Sequence, residues 1–315
     1  HKLFIGLILV YIFLATLNIG FQSGFVGDEQ AYVVGAWQIF SGGPRSNLEH
    51  PMLAKTLQGF FAAIAVFLGC DPVIGMRFAS VAAGAGALMA TYAIAIRWGS
   101  LRAAAGAAVL CLSNTLFLVH ARMVTPEMVA LFLLMLGLHF FLADRIQSEP
   151  ARAADIALAG TFFGLSLSAK WIGIWLVPWV LARLVYSVEF KKMGIFMARL
   201  VLFYAIGNAA YFLNHGILDA AMWQKYILTY HQTTAEISAY NGSSAWTWFT
   251  IPQHLYYSRL VPDRGFAMAV MSAMNPVVFL LTIPALWMAM KKGVPPAGRV
   301  SASGAPSAGG SGSAA

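Results

Sequence analysis

The chain has 315 residues, 59% hydrophobic and only 10% charged, with a mean hydropathy of +0.71. Soluble domains carry about 25% charged residues, so this composition excludes an ordinary soluble domain and reads as a polytopic membrane protein. The formal charge of +8 is no nucleic-acid signal, because the Lys and Arg residues are scattered at helix ends and form no basic stripe. Cys70 and Cys111 make neither a disulfide framework nor a metal-ligand spacing. Both read as small packing residues.

An apolar stretch of about 20 residues spans a bilayer. Leu3 to Phe21 is the first such run, too long and too poor in a small-residue cleavage site for a signal peptide, and is expected to be retained. Gly27 to Lys55 is mixed in character, with apolar residues at helical spacing from Tyr32 to Phe40, the pattern of a short interfacial helix. Met52 to Leu68 is apolar but short, and Lys55 and Gln58 interrupt it, as in a re-entrant or interfacial helix. Phe78–Ile96, Ala103–Val119, Met128–Leu142, Ile156–Leu167, Trp171–Tyr186 and Ile195–Leu213 are the next six predicted spans or span cores. The stretch from His215 to Arg264 is a long amphipathic connection, and Phe266–Met290 completes a set of about eight spans. The expected fold class is thus an all-α polytopic transmembrane helical bundle, with interfacial helices on its outer face.

With the N-terminus inside, the short inner loops carry Arg97 and Arg102, Arg145 and Arg152, Lys191 and Lys192, and Lys291 and Lys292. That is the positive-inside pattern, repeated in four independent loops. The outer face then holds two long segments, 25–77 and 215–264. The transmembrane unit is expected over residues 1–292, followed by a flexible Gly/Ser/Ala/Pro tail over 293–315.

The unusual polar residues collect on that outer side. Asp28 and Glu29 are adjacent carboxylates just after the first span, where a charge in hydrocarbon costs at least about 2.5–3.5 kcal/mol. His50, Lys55, Arg122, Glu127, Lys170 and His231 share the same predicted side. Acids, bases and cations against apolar walls are the ingredients of a site with a carboxylate base and a phosphate-binding cation. Lys meets a phosphate as a point charge and Arg through a bidentate fork. Each residue also has a plainer reading. His50 before Pro51 can be a helix entry, Lys55 and Lys170 can snorkel, and Arg122 with Glu127 can brace a turn. Trp246 and Trp248 can be aromatic-belt residues, and His231 an ordinary loop histidine.

The acidic pair followed by His50-Pro51-Met52-Leu53-Ala54-Lys55 resembles the membrane glycosyltransferases of the GT-C class. The resemblance is to the protein O-mannosyltransferase branch and its bacterial relatives, which include the aminoarabinose transferases acting on lipid A. Ala121-Arg122-Met123-Val124-Thr125-Pro126-Glu127 is similar to that family's Arg-x-x-x-x-acid turn. Ser168-Ala169-Lys170-Trp171-Ile172-Gly173 is similar to its Lys-Trp-x-Gly element. Tyr230-His231 and the later Trp246-Thr247-Trp248 resemble its external His and Trp segment. The chain departs from the pattern in reading Met52 after Pro51, and in carrying Glu127 where the acid is often Asp.

The resemblance implies transfer of a sugar from a polyprenyl-phosphate donor to an acceptor hydroxyl, on a protein, lipid or glycan, at the outer face of a bacterial inner membrane. It implies Asp28 as general base and Glu29 as its neighbour in the catalytic pair. His50, Lys55, Arg122 and Lys170 fall on the donor-phosphate side, and Glu127, His231, Trp246 and Trp248 on the acceptor or sugar side. No metal and no cofactor beyond the lipid-linked donor is implied. Family members usually carry more spans. The alternative is therefore a non-catalytic membrane subunit on the same scaffold within a larger membrane complex. A transporter is disfavoured, since the ionisable residues cluster at one face rather than near the midplane.

Overall fold

The computed structural model describes residues 2–20, 25, 28–41, 46–143, 152–241, 254–256 and 271–273. The described chain is all-helical apart from one pair of short strands. In order come α1 (Lys2–Thr16), α2 (Glu29–Ser41), α3 (Leu53–Phe67), α4 (Pro72–Trp98), α5 (Leu101–Leu112) and α6 (Thr115–His120). There follow α7 (Glu127–Phe141), α8 (Ala153–Ala169), a 3-10 turn (Trp171–Leu176), α9 (Val177–Tyr186), α10 (Phe190–Gly207) and α11 (Ala209–Asn241). Strand β1 (His254–Tyr256) pairs antiparallel with β2 (Met271–Ala273), His254 opposite Ala273.

Local chemistry sets the breaks. Asp71 accepts the Val73 N–H at 2.7 Å and Pro72 opens α4, a capped start that suits the longest straight helix. The expected third span is cut in two, because Asn114 turns out of the helix and caps α6 through the Leu116 N–H at 3.0 Å. The sixth begins as 3-10 structure, and Pro178 sits in the first turn of α9. Asn208 ends α10, with its Nδ2 donating to the Tyr204 carbonyl and its Oδ1 accepting the Met52 N–H, both at 2.9 Å. Helix α11 bends at Gly216, whose φ of +76° is the left-handed region that glycine adopts without penalty.

The sequence leads to an expectation of about eight spans. Among the described residues one helix, Pro72–Arg97, is long and apolar enough to cross a membrane. The other apolar helices of this kind run 10–17 residues, because the polar caps and turns above divide the apolar runs. Of the expected eighth span, Met271–Ala273 is extended rather than helical. The remainder of that span and the 293–315 tail lie outside the described residues.

The two largest of four hydrophobic clusters hold most of the bundle. One gathers α1, α4, α5 and α7 around Tyr11, Leu88, Met128 and Val129. Tyr11 is fully buried and donates to the Val81 carbonyl at 2.8 Å. The other gathers α7 to α10 around Ile156, Phe163, Val180 and Phe196. Helix α10 lies on α8 with no room to spare: a Cβ on Gly164 would stand 2.3 Å from the Leu200 carbonyl oxygen. Close backbone approach through small residues is how membrane helices gain packing without a hydrophobic driving force. Large apolar side chains also cover the outside, among them Leu9, Phe13, Phe67 and Trp175. Such a surface fits lipid as solvent.

Candidate functional site

Five segments converge at one end of the bundle: the start of α2, the 46–52 loop, the 121–126 turn, the end of α8 with Trp171, and α11. Helix α2 begins immediately after Asp28, whose carbonyl accepts the Ala31 N–H at 3.0 Å and whose side chain is exposed. A carboxylate at that position also sits favourably at the positive end of the helix dipole. One turn on, Tyr32 is buried. Burial first, then the charges of Glu127, Asp28 and Glu49 with Tyr230, hold its phenol well above the ordinary tyrosine range. Tyr32 therefore lies within electrostatic reach of carboxylates from three different segments.

The His50 ring stands between Tyr32 and His231, with centroids 5.5 Å and 5.4 Å away. His231 reaches it from α11 and also faces Trp171 at 6.1 Å. Burial, then the positive charges of Lys170 and Lys55 and the neighbouring His231, push the His50 imidazole down to about 3, with Glu127 pulling the other way. His50 is thus a neutral ring that can donate or accept one hydrogen bond, and not a cation.

Lys55 is 1% exposed, and its Nζ donates to the carbonyls of Asn47 and, at 3.0 Å, His50. It holds the loop that presents His50. Trp223 of α11 ties down the same loop by donating Nε1 to the Leu48 carbonyl at 2.7 Å.

Lys170 follows α8 in extended conformation and pairs directly with Glu127, the first residue of α7. His120 completes this group, with Nδ1 3.8 Å from Glu127 Oε2 and 3.2 Å from Thr125 Oγ1.

Glu29 and Arg122 sit in a second cluster, in which Glu29 and Arg77 are buried and Arg122 is half-buried. Glu29 is fully buried and takes two hydrogen bonds from Arg77, Nε to Oε1 and Nη2 to Oε2, both at 2.8 Å. Its Oε1 also accepts the Val124 N–H at 3.0 Å. Arg77 adds a bond to the Ile19 carbonyl at 2.7 Å. Arg122 donates to the Leu17 carbonyl, and burial together with the nearby Arg77 lowers its pKa. Glu29 and Arg122 therefore brace the exit of α1 and the 121–126 turn.

Trp246 and Trp248 lie outside the described residues. Sequence reasoning missed Arg77, His120 and Tyr32. Arg77 carried a signal: it is an Arg one and a half turns inside an otherwise apolar helix, and such a charge requires a partner. Among the described residues no group of three or more His, Cys, Asp or Glu side chains is arranged to hold a metal ion.

Comparison with known proteins places this geometry. The structure resembles that of ArnT from Cupriavidus metallidurans in the apo state, with a TM-score of 0.52 and 21% identity over 92% of this chain and 50% of that one. A second ArnT structure from the same organism, bound to undecaprenyl phosphate, gives a TM-score of 0.48 and 22% identity over 72% of this chain and 41% of that one. The chain thus spans about half the length of the solved structures it matches, and the likeness to the apo structure is one of fold, the GT-C architecture. No curated protein matches the chain. The family profile described as dolichyl-phosphate-mannose-protein mannosyltransferase matches residues 7–211, the stretch that contains both clusters except for His231, and the chain belongs to that family.

Proposed function

We propose that this chain is a membrane glycosyltransferase that moves a sugar from a polyprenyl-phosphate donor to an acceptor hydroxyl at the outer face of the membrane. The observation that carries the reading is the convergence of Tyr32, His50, Glu127, Lys170 and His231 from five separated stretches of sequence. Family membership supplies the chemistry.

In this reading Asp28, exposed at the tip of α2, takes the proton from the acceptor hydroxyl as the hydroxyl oxygen attacks the sugar's anomeric carbon. The bond from that carbon to the phosphate oxygen breaks, and the lipid phosphate leaves with the bonding electrons. Lys170 is the cation best placed to meet that phosphate, since Lys55 and Arg122 are engaged with backbone carbonyls. His50, neutral and buried, offers a hydrogen bond without adding charge. The exposure of Asp28 leaves its carboxylate open to an acceptor hydroxyl. Glu127 and His231 are assigned to the sugar or acceptor side, and Trp246 and Trp248 join them by family resemblance. The setting is a bacterial inner membrane with the N-terminus in the cytoplasm.

The test is Asp28→Asn, assayed as label transfer from polyprenyl-phosphate mannose in membranes that contain the full chain and its natural acceptors. Loss of transfer with normal membrane insertion supports the base assignment, and retained transfer refutes it. Purification with a stoichiometric partner, together with indifference to Asp28→Asn, favours a non-catalytic subunit on this scaffold instead.

A further inference from the structure

The two clusters share their supports. Helix α2 carries Glu29 in the buried cluster and Tyr32 in the other, with Asp28 just ahead of both. The 121–126 turn offers its Val124 N–H to Glu29 and leads directly into Glu127. Arg77, only 4% exposed, stands behind them on α4 and reaches the α1 exit through Ile19. One fork of hydrogen bonds thus ties together three segments between which, among the described residues, no main-chain hydrogen bond runs.

A bidentate Arg–carboxylate pair sets angle as well as distance, because the planar guanidinium presents its donors in a rigid fork. The pair is also insulated, with side-chain exposures of 5% for Arg77 and 0% for Glu29. A buried ion pair of this kind is weak evidence for stability, since desolvating both charges offsets most of their attraction. Its value must be sought in what it orients.

We propose that Arg77 and Glu29 are positioning residues for glycosyl transfer: their buried fork sets the start of α2, and so Asp28, against the 121–126 turn, and so Glu127. Glu29 on this reading holds its acidic neighbour in place and takes no part in the proton transfer. The inference rests on the function proposed above and assigns a task to Arg77 that the sequence motifs leave blank.

Removing Arg77 alone leaves a buried carboxylate uncompensated, which endangers the fold itself. The informative variants are therefore the neutral double variant Glu29→Leu with Arg77→Met, which removes the acceptor as well as both charges, and Arg77→Lys, which keeps the charge but loses the fork. In membranes supplied with polyprenyl-phosphate mannose, each should lower kcat on the order of 100-fold, the scale of a roughly 1 Å misplacement, with KM for the donor changed little. Hydrogen–deuterium exchange of the purified full chain supplies a readout independent of activity. The amides of the 121–126 turn should exchange faster in the double variant, because the Val124 N–H loses its carboxylate partner.

Wild-type kcat in the double variant, with faster exchange of the turn, makes the pair purely structural and overturns the proposal. Unchanged exchange overturns the clasp itself. A raised donor KM with kcat intact also overturns it, assigning the pair to donor binding. If the wild-type chain transfers nothing from this donor, the function reading fails and takes the positioning claim with it. The exchange arm still reports whether the fork holds the turn, so the two failures are told apart.

Discussion

On the proposed function Lys170 meets the lipid phosphate while already paired with Glu127, and this competition gives a prediction whose sign is not the usual one. Replacing Glu127 by Gln keeps the shape of the side chain and removes its charge. The Lys170–Glu127 pair is a charge-assisted contact between side chains 25% and 27% exposed. Hydrogen bonds involving charged groups contribute about 1.5–3 kcal/mol net, and partial exposure argues for the lower end. A phosphate that takes Lys170 from Glu127 must give up roughly that much. Freeing Lys170 should therefore tighten phosphate binding by about 1.4 kcal/mol, or roughly tenfold. The assay is titration of undecaprenyl phosphate onto the detergent-solubilised chain, read by native mass spectrometry. Lys170→Met should weaken binding in the wild type and cancel the gain in Glu127→Gln. Equal or weaker binding by Glu127→Gln refutes the competition, and a gain that survives Lys170→Met refutes Lys170 as the phosphate ligand.

Acid should destabilise the fold through His50. Its pKa is near 3 in the folded chain against about 6.5 when free, so between those values the unfolded chain binds more protons and stability rises with pH. Thermal melts in detergent should fall as pH drops from 6.5 toward 4, and His50→Gln should flatten that part of the slope. Packing gives a further pair of expectations. Gly164→Ala should cost about 1–3 kcal/mol by overpacking α8 on α10, since its Cβ would meet the Leu200 carbonyl oxygen at 2.3 Å. Gly6→Ala on α1 meets nothing within 4 Å, so it should be neutral, or stabilise by up to about 1 kcal/mol through helix propensity. Melting temperatures of the two variants side by side check both.

Much of this was legible in the sequence, for reasons that differ residue by residue. The helical class follows from solvent, because lipid leaves backbone groups no partner but one another. Short α3 was readable because Lys55 and Gln58 interrupt its apolar pattern. The division of 103–120 was not, since one Asn at a cap weighs little against a long apolar run in any windowed reading. That His50, Glu127, Lys170 and His231 stand close together agrees with their order and shared predicted side. Which of the outer-face residues would be spent on structure was not legible. Lys55 and Arg122 carry the charge a phosphate needs, but their hydrogen bonds go to backbone carbonyls of segments far away or folded back upon them. No spacing rule reports that.

Asp28 and Glu29 show the limit most sharply. As neighbours with the same chemistry they are indistinguishable in sequence, and pairing them as catalytic was natural. Helix geometry separates them. Successive residues at a helix start point about 100° apart, so when one carboxylate turns inward the next turns out. The inward one, Glu29, would be prohibitive unless a cation met it, and Arg77 does so from 48 positions along the chain. The outward one keeps its access to substrate and solvent. On the proposed function, the pair divides into Glu29, fixed by Arg77, and Asp28, exposed and free of that clasp. The buried cation that decides between them is found by searching the apolar helices for a charge that has no other reason to be there.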